Sequence, residues 1–403
     1  MRELVKSVYP FVCIFFCISL VLDKYATAVP NILLVVLIAL FPFVINKDVL
    51  KRIKNRIFVV FTILVTAILA ITLVAHDFSI DASFIKKLGS SLLLFVLFLP
   101  VVDSSRIKKA IIFSCLLAII ISLYHIYFFY ISEEVFSFSN SGPINEVLII
   151  DRLYLGFLCV IAIACAISLI KKKYHPDNRY YFAFVVMAVL FLLLISSRLA
   201  ILILLLLFAL KIFYVKNKKP FIFFFLGLVV VMFLAFQFNH NLGERFFYTK
   251  STSSKTYVEL FVEKEPRVII WSCALDQIKE NNALLMGVGF KNTINNLVAC
   301  YETSVTPDKR KNYFVERRFN THNQFLDFFI SKGIIPFLLF ALLFITLIIK
   351  YRSQYAPLAF TIILFAFCNI ENVFHRQFGA YFFAIVLFLI LSYKTDTQKV
   401  IEQ

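Results

Sequence analysis

Long apolar runs, separated by short polar breaks, recur along the whole chain. Many of them reach about 18 residues, the length that crosses a bilayer as a helix. They do not show the short alternating segments of a membrane β-barrel. The pattern predicts an all-α, polytopic membrane protein with about twelve transmembrane helices. The predicted spans cover about residues 8–22, 28–46, 57–75, 86–102, 110–131, 151–170, 180–197, 199–214, 221–238, 326–349, 356–371 and 378–393.

One long polar segment interrupts this pattern. Residues 239–325 separate the nine spans predicted in residues 1–238 from the three spans and the C-terminus predicted in residues 326–403. A segment of this length is too long for a connector and predicts a large folded loop. Apolar residues recur at helical spacing after Pro266, which suits the first turn of a helix. The loop is therefore expected to contain short helices.

Charge is distributed unevenly over the two faces of the predicted protein. The composition is 61% hydrophobic and 16% charged, with a formal net charge of +17. Most of the excess lies in short loops that fall on one face, which is predicted to be cytoplasmic. The segment 239–325 is then predicted to face the periplasm, across a bacterial inner membrane. Because the basicity is explained by topology, nucleic acid is not an expected partner. The basic loop residues are Lys47, Lys51, Arg52, Lys54, Arg56, Arg106, Lys108, Lys109, Lys171, Lys172, Lys173, Arg179, Lys216, Lys218, Lys219, Lys350 and Arg352.

The eight cysteines give no sign of a metal or redox site. Most of them lie inside apolar runs and no CxxC pair occurs. Cys273 and Cys300 both fall in the long polar segment. A disulfide between them requires an oxidising compartment, and the sequence leaves their pairing open. No nucleotide-binding or metalloprotease motif occurs either, so neither a cofactor nor a metal is predicted.

Candidate chemistry concentrates at the membrane ends of the spans. His322 lies where the long segment meets the tenth predicted span, close to Arg317 and Arg318, while Arg198 lies at the tip of a predicted hairpin and Arg267 within the long segment. Arginine forks suit a pyrophosphate, and a histidine can accept a proton from a hydroxyl. Together they suit glycosyl transfer from a polyprenyl-pyrophosphate sugar. Two alternatives stay open: Arg198 snorkels to lipid headgroups, and His322 only caps the helix that follows.

Several short motifs resemble those of the O-antigen ligase family. They are residues 195–200 with Arg198, Arg267 with Trp271 and residues 285–290, residues 321–326 and 332–335 around the histidine, and residues 369–372 with Glu371. The layout of about twelve spans with one large loop before the tenth is also similar to that family. The resemblance covers nearly the whole chain as architecture but only these patches as motifs.

The resemblance implies specific roles for some of these residues. Arg198 and Arg267 are expected to bind the donor pyrophosphate, and His322 to activate the acceptor hydroxyl. Asn323 and Glu371 are candidates for supporting roles. Further candidates, for binding phosphates of the acceptor, are Arg317, Arg318, Lys309, Arg310 and Lys311. The expected partners are an undecaprenyl-pyrophosphate-linked O-antigen, a lipid A-core acceptor and inner-membrane lipids.

Three other functions compete with the ligase interpretation. An O-antigen or capsule polymerase uses the same donor, but often has a second sizeable periplasmic loop. The corresponding segment here, residues 132–150, is short. A protein O-oligosaccharyltransferase usually carries extra sequence. A polytopic transporter requires polar residues near the bilayer midplane, and the predicted spans contain almost none. The sequence therefore favours a metal-independent, inverting O-antigen ligase.

Overall fold

The computed structural model describes residues 2–132, 146–171, 175–216, 265–280 and 284–393, with scattered positions between 218 and 233. Throughout these residues the regular structure is helical, as predicted. The helices are α1 (Arg2–Ser19), α2 (Ala28–Val44), α3 (Lys47–Ile53), α4 (Arg56–Ala75), α5 (Phe78–Phe98), α6 (Ser104–Ser132), α7 (Arg152–Leu169), α8 (Asn178–Leu194), α9 (Arg198–Lys211), α10 (Pro266–Glu280), α11 (Phe290–Ser304), α12 (Asp308–Arg317), α13 (Gln324–Lys332), α14 (Ile334–Tyr351), α15 (Tyr355–Cys368) and α16 (Gln377–Leu391).

Several of these helices have the length and composition to cross a membrane. Among the described residues, five do so alone, and a sixth span results if α2 and α3, bent by 117°, are counted as one. The five are Arg2–Leu22, Arg56–Ala75, Ser104–Ser132, Arg152–Leu169 and Ile334–Tyr351. Helices α8, α15 and α16 are apolar but shorter. The described part of the chain is thus all-helical, as in a helical membrane protein, while the count of twelve spans and the periplasmic placement of the loop stay predictions.

The chain forms two compact units that interleave along the sequence. The first unit comprises Met1–Ile45, Pro100–Ser254 and Ser353–Ile363. In it α1 packs against α2 and α6, and the strongly buried α7 packs against α6, α8 and α9. Its helices account for most of the first half of the chain.

The second unit comprises Asn46–Leu99, Lys255–Arg352 and Leu364–Gln403. Helix α16, buried along nearly its whole length, packs against α5, and α14 packs against α4. The loop helices α10, α11 and α12 join the same unit, because α11 contacts both α5 and α13. The second unit therefore contains both the folded part of the long segment and His322.

Two predicted element boundaries are wrong. Residues 76–85 were expected to be a loop, but α5 begins at Phe78, where the Asp77 side chain accepts a hydrogen bond from Ser79 N–H. The predicted span 326–349 is divided at Gly333, whose φ of 82° ends α13 and precedes α14. A left-handed residue cannot continue a helix, so a continuous apolar run becomes two helices. The ninth predicted span, 221–238, lies largely outside the described residues.

Candidate functional site

His322 and Glu371 form a charged pair in the second unit. Nδ1 of His322 lies 3.1 Å from Oε2 of Glu371, and their side chains are 22% and 6% exposed. The histidine follows α12 and precedes α13, whereas the glutamate follows α15. If Nδ1–H donates to the carboxylate, Nε2 carries the free lone pair and can accept a proton. The pair therefore has the arrangement of a general base oriented by an acid.

The backbone around His322 is held by two asparagines. Oδ1 of Asn372 accepts hydrogen bonds from Thr321 Oγ1 at 3.0 Å and from Asn323 N–H at 2.7 Å. Oδ1 of Asn320 accepts from His322 N–H at 3.1 Å. These bonds stabilise His322 at a φ of 45°, a left-handed conformation that is uncommon for a residue other than glycine.

Asn323, rather than His322, caps the helix that follows. Its side chain accepts hydrogen bonds from Phe325 N–H and Leu326 N–H at the start of α13. This is the ordinary geometry of an asparagine N-cap. Asn323 thus stabilises the start of α13, and the imidazole of His322 is left available for other contacts.

Positive charge surrounds Glu371. Burial alone would raise the pKa of the Glu371 carboxyl, but the charge and hydrogen bond of His322, together with the charges of Arg376 and Arg267, hold that pKa below its ordinary value. Nη1 of Arg267 pairs with Glu265 at 3.0 Å. The buried Nε of Arg267 has no hydrogen-bond partner among the described residues. The structure therefore brings Arg267 into the same cluster as His322 and Glu371.

A disulfide supports the loop helices beside this cluster. Cys273 on α10 and Cys300 on α11, whose pairing the sequence left open, are joined. The helix predicted after Pro266 is confirmed, and its buried residues Ile270 and Ala274 pack with the disulfide. Nε1 of Trp271 donates to the carbonyl of Thr321 at 3.0 Å. The loop core is thereby attached directly to the residue before His322.

Gly287, Gly289 and Gly333 allow the 285–290 turn to pack closely against the end of α13. Val288 N–H and Gly289 N–H donate to the carbonyls of Ile330 and Ser331, both at 2.9 Å. A Cβ on Gly287, which has a φ of 67°, would overlap the peptide between Ser331 and Lys332. A close backbone approach of this kind requires glycine. The turn and the histidine motif, which are far apart in sequence, thus form one structure.

A buried ion pair that the sequence did not reveal lies under this turn. Nζ of Lys332 lies 2.7 Å from Oδ2 of Asp81, and their side chains are 0% and 2% exposed. The same carboxylate accepts Phe290 N–H and Lys291 N–H, both at 3.1 Å, at the start of α11. Asp81 thus connects α5, α11 and α13. The sequence placed Asp81 in a predicted loop between two spans, and nothing in the sequence indicated its contact with Lys332.

Arg198 lies in the first unit, at the start of α9. It follows Ser196, which has a φ of 52°, and Ser197. On α7, Gly156 approaches this turn so closely that a Cβ there would overlap Oγ of Ser197. Arg152, one helical turn earlier, is buried and close enough for its charge to interact with that of Arg198. Arg152 was not among the predicted site residues.

The predicted acceptor-binding residues lie on α12 and at its end. Nη2 of Arg318, a left-handed residue with a φ of 48°, donates to Asn295 Oδ1 at 2.6 Å. Arg317 and Arg310 lie 5.8 Å from the ring centroids of Tyr313 and Phe314, respectively.

Lys311 pairs with Asp308 at 2.7 Å. The side chain of Lys309 lies outside the described part of the chain. Arg317 and Arg318 are exposed, so helix α12 presents a basic surface. In the described residues no group of three or more His, Cys, Asp or Glu side chains is arranged to hold a metal ion.

The fold and this cluster define an integral membrane protein with a histidine–glutamate pair, flanked by arginine, that suits acid–base catalysis. Residues 182–341 match the family model described as O-Antigen ligase, and this match supports membership of the O-antigen ligase family. The matched residues include Arg198, Arg267 and His322 and end before Glu371. Proteins of this family are glycosyl-transferring enzymes that use lipid-linked polysaccharides. A comparison with curated proteins finds no match.

Proposed function

We propose that this protein is an O-antigen ligase, which transfers O-antigen from undecaprenyl pyrophosphate to a sugar hydroxyl of lipid A-core. The observation that carries this proposal is the pairing of His322 with the buried Glu371 at 3.1 Å. An ionised carboxylate behind Nδ1 keeps Nε2 as the proton acceptor and stabilises the imidazolium that forms when a proton is taken. A partly exposed imidazole of this kind suits the activation of a hydroxyl.

The proposed reaction is one direct displacement. Nε2 of His322 takes the proton of the acceptor hydroxyl while its oxygen attacks the anomeric carbon of the donor sugar. The bond from that carbon to the phosphate oxygen breaks, and undecaprenyl pyrophosphate leaves with the electron pair. Attack opposite the leaving group inverts the anomeric configuration.

Arginine supplies the charge that the leaving pyrophosphate requires. Arg267 lies near enough to Glu371 for their charges to interact, and one of its donors is unused among the described residues. Donors already in place stabilise developing negative charge at little cost in reorganisation. Arg198 is assigned to the same pyrophosphate because of its motif, which lies within the region matched by the family model.

The basic surface of α12 is proposed to bind phosphates of the acceptor core. Arg317, Arg318, Arg310 and Lys311 project from one short helix whose end leads directly to the His322 segment. A planar guanidinium binds phosphate oxygens in pairs. Lys309 on the same helix is included in this proposal.

The disulfide supports the placement of the loop outside the cytoplasm. Disulfides such as Cys273–Cys300 persist in oxidising compartments, of which the periplasm is one. The basic short loops predicted on the other face support the same orientation. We therefore assign the protein to the bacterial inner membrane, with His322 on the periplasmic side.

The decisive experiment complements a bacterium that lacks its own ligase but makes the matching core. Expression of the wild type is expected to restore an O-antigen ladder on lipid A-core, and His322→Ala to abolish it. His125→Ala is the matched control, because this histidine of the first unit also makes two ring hydrogen bonds, to Tyr25 and Val147.

The other outcomes separate the competing functions. Growth of the lipid-linked polymer without a ladder would identify a polymerase instead. No change in either product, with the protein present in the membrane, would contradict a transferase that uses this donor. A ladder that survives His322→Ala would contradict the assigned base.

A further inference from the structure

A second histidine–carboxylate pair lies behind the first. Nε2 of His375 lies 2.8 Å from Oδ2 of Asp327, and their side chains are 7% and 1% exposed. Gln324 Nε2 donates to the same carboxylate oxygen at 3.1 Å, while Oδ1 of Asp327 has no partner among the described residues. The histidine ring lies 4.5 Å from the ring of Phe84, centroid to centroid. A pair so thoroughly removed from water is costly to keep and is weak evidence for stability alone.

Both asparagines that hold the His322 segment contact this second histidine. Nδ2 of Asn320 lies 3.4 Å from Nδ1 of His375, and its Oδ1 accepts His322 N–H. Nδ2 of Asn372 lies 3.4 Å from Nε2 of His375, and its Oδ1 accepts from Thr321 and Asn323. Asn320 therefore links the backbone of His322 to the imidazole of His375, and the amide of Asn372 lies beside the same ring.

The positions of donors and acceptors determine how the amide of Asn320 is oriented. Asp327 accepts a hydrogen bond from Nε2–H of His375, which leaves Nδ1 as an acceptor. An acceptor at Nδ1 turns the amide N–H₂ of Asn320 towards itself and leaves the amide oxygen for His322 N–H. Reversal of that amide would place a donor against a donor. The ring of His375, fixed by Asp327, thus decides which way Asn320 faces.

The conformation of His322 makes such a constraint necessary. Its φ of 45° is unfavourable for a residue with a Cβ and persists only where surrounding contacts enforce it. A relaxed backbone at this position would move the imidazole away from Glu371. Small displacements of a catalytic group cost much of the rate.

We propose that His375 and Asp327 form a positioning pair that fixes the backbone of His322 through Asn320. The inference rests on the proposed function in one respect, namely that His322 is the general base. His375 itself does not touch the substrate. It acts on the reaction only through the geometry of His322.

Kinetics of the full-length enzyme in lipid nanodiscs, with a polyprenyl-pyrophosphate-linked donor, provide the first test. His375→Ala is expected to lower kcat by about 10- to 100-fold and to leave the donor KM within about twofold. In a His322→Ala background the same change is expected to cost nothing further, because residues that act as one unit are not additive. His125→Ala, the matched control, is expected to change kcat by less than about twofold.

A spectroscopic readout decides the proposal independently of turnover. The chain has six histidines, so ¹⁵N-histidine spectra are simple, and the signal missing in His322→Ala identifies that ring. His375→Ala and Asn320→Ala are both expected to shift the His322 signal, whereas His125→Ala leaves it in place. Asn320 is partly exposed, so Asn320→Ala keeps the test available if His375→Ala does not fold.

The outcomes distinguish failure of this inference from failure of the proposed function. Normal turnover in His322→Ala would overturn the base and the positioning pair together. Loss of turnover in His322→Ala with normal turnover in His375→Ala would overturn the positioning pair alone. A multiplicative loss in the double variant, or an unmoved His322 signal in both single variants, would show that His375 is merely structural.

Discussion

At the residue scale, Glu371 matters because it is both buried and ionised. Its side chain is 6% exposed, and positive neighbours rather than water stabilise its charge. A carboxylate in this position fixes the tautomer of His322 and favours the protonated form that appears during proton transfer. The charge of Glu371, and not only its shape, is therefore expected to support turnover.

Glu371→Gln separates charge from shape. The amide keeps the volume but removes the negative charge, so kcat is expected to fall by about 10²- to 10⁴-fold. The donor KM is expected to change little, because the change acts on proton transfer. Initial rates at saturating donor measure the effect. The exposed Glu302→Gln is the control, and a Glu371→Gln enzyme as active as that control would contradict the assigned role.

The same carboxylate is expected to make stability depend on pH in the acid range. Because the pKa of Glu371 in the folded protein lies below its ordinary value of 4.5, its stabilisation is complete above that value and is lost as the pH falls through the folded-state pKa. The Tm gap between wild type and Glu371→Gln should therefore narrow as the pH falls below the ordinary pKa of 4.5. Thermal unfolding in detergent measures it. A constant gap would indicate that Glu371 stabilises the fold without its charge.

The sequence identified some of these residues but not their partners. His322 stood out because it lies where the polar segment meets an apolar span, Arg267 as an arginine predicted on the same face, and Glu371 because of its motif. Asn320 was not singled out, and Asn372 only as part of the 369–372 motif, since a polar loop residue has no periodicity. His322 and Glu371 are separated by 49 positions in the sequence, and only tertiary packing brings them together, which no local pattern predicts.

At the element scale, the end of α13 departs most from its prediction. Apart from Ser331, Lys332 and Gly333, the residues from Phe328 into α14 are apolar, and hydropathy averaged over this stretch therefore predicted one span. The chain instead turns at Gly333, where a Cβ would overlap the backbone of Leu285. At this break the side chain of Lys332 forms an ion pair with Asp81. A buried charge pair and a backbone contact thus override a continuous hydrophobic pattern.

Single and double changes of the Lys332–Asp81 pair test this account. Lys332→Met leaves the Asp81 carboxylate buried without its cation, so unfolding is expected to become easier by about 3–5 kcal/mol. Adding Asp81→Asn removes that charge while its amide oxygen still accepts from the start of α11, so much of the loss is expected to be recovered. Thermal unfolding of the wild type, Lys332→Met and the double variant gives the comparison.

The matched control for this pair is Lys279→Met. Lys279 and Asp276 are 3.5 Å apart on α10 but largely exposed, at 77% and 52%, and such a pair contributes little. A double variant that is less stable than Lys332→Met, or a Lys279→Met protein as unstable as Lys332→Met, would contradict the burial argument.

At the scale of the whole molecule, composition and hydropathy were enough to predict an all-helical membrane protein. Five to six of the described helices meet the length and composition of a span, and the shorter α8, α15 and α16 coincide with further predicted spans. The interleaving of two compact units was not predictable from span order. Which helices pack together depends on side-chain fit rather than on the apolar character that all of them share.

The orientation of the chain can be tested through its cysteines. Cys273 and Cys300 are joined on the loop helices, whereas the other six are free and buried. If the loop faces an oxidising periplasm, this bond forms in living cells. Intact cells would be treated with a membrane-permeant alkylating reagent, then denatured, reduced and labelled with a polyethylene-glycol maleimide. Two added labels are expected in the wild type and none in Cys273→Ser/Cys300→Ser. A wild type that gains no label would mean that both thiols were free before reduction. That result would place the loop and His322 on the reducing side of the membrane, which would contradict the proposed transfer of O-antigen to lipid A-core in the periplasm.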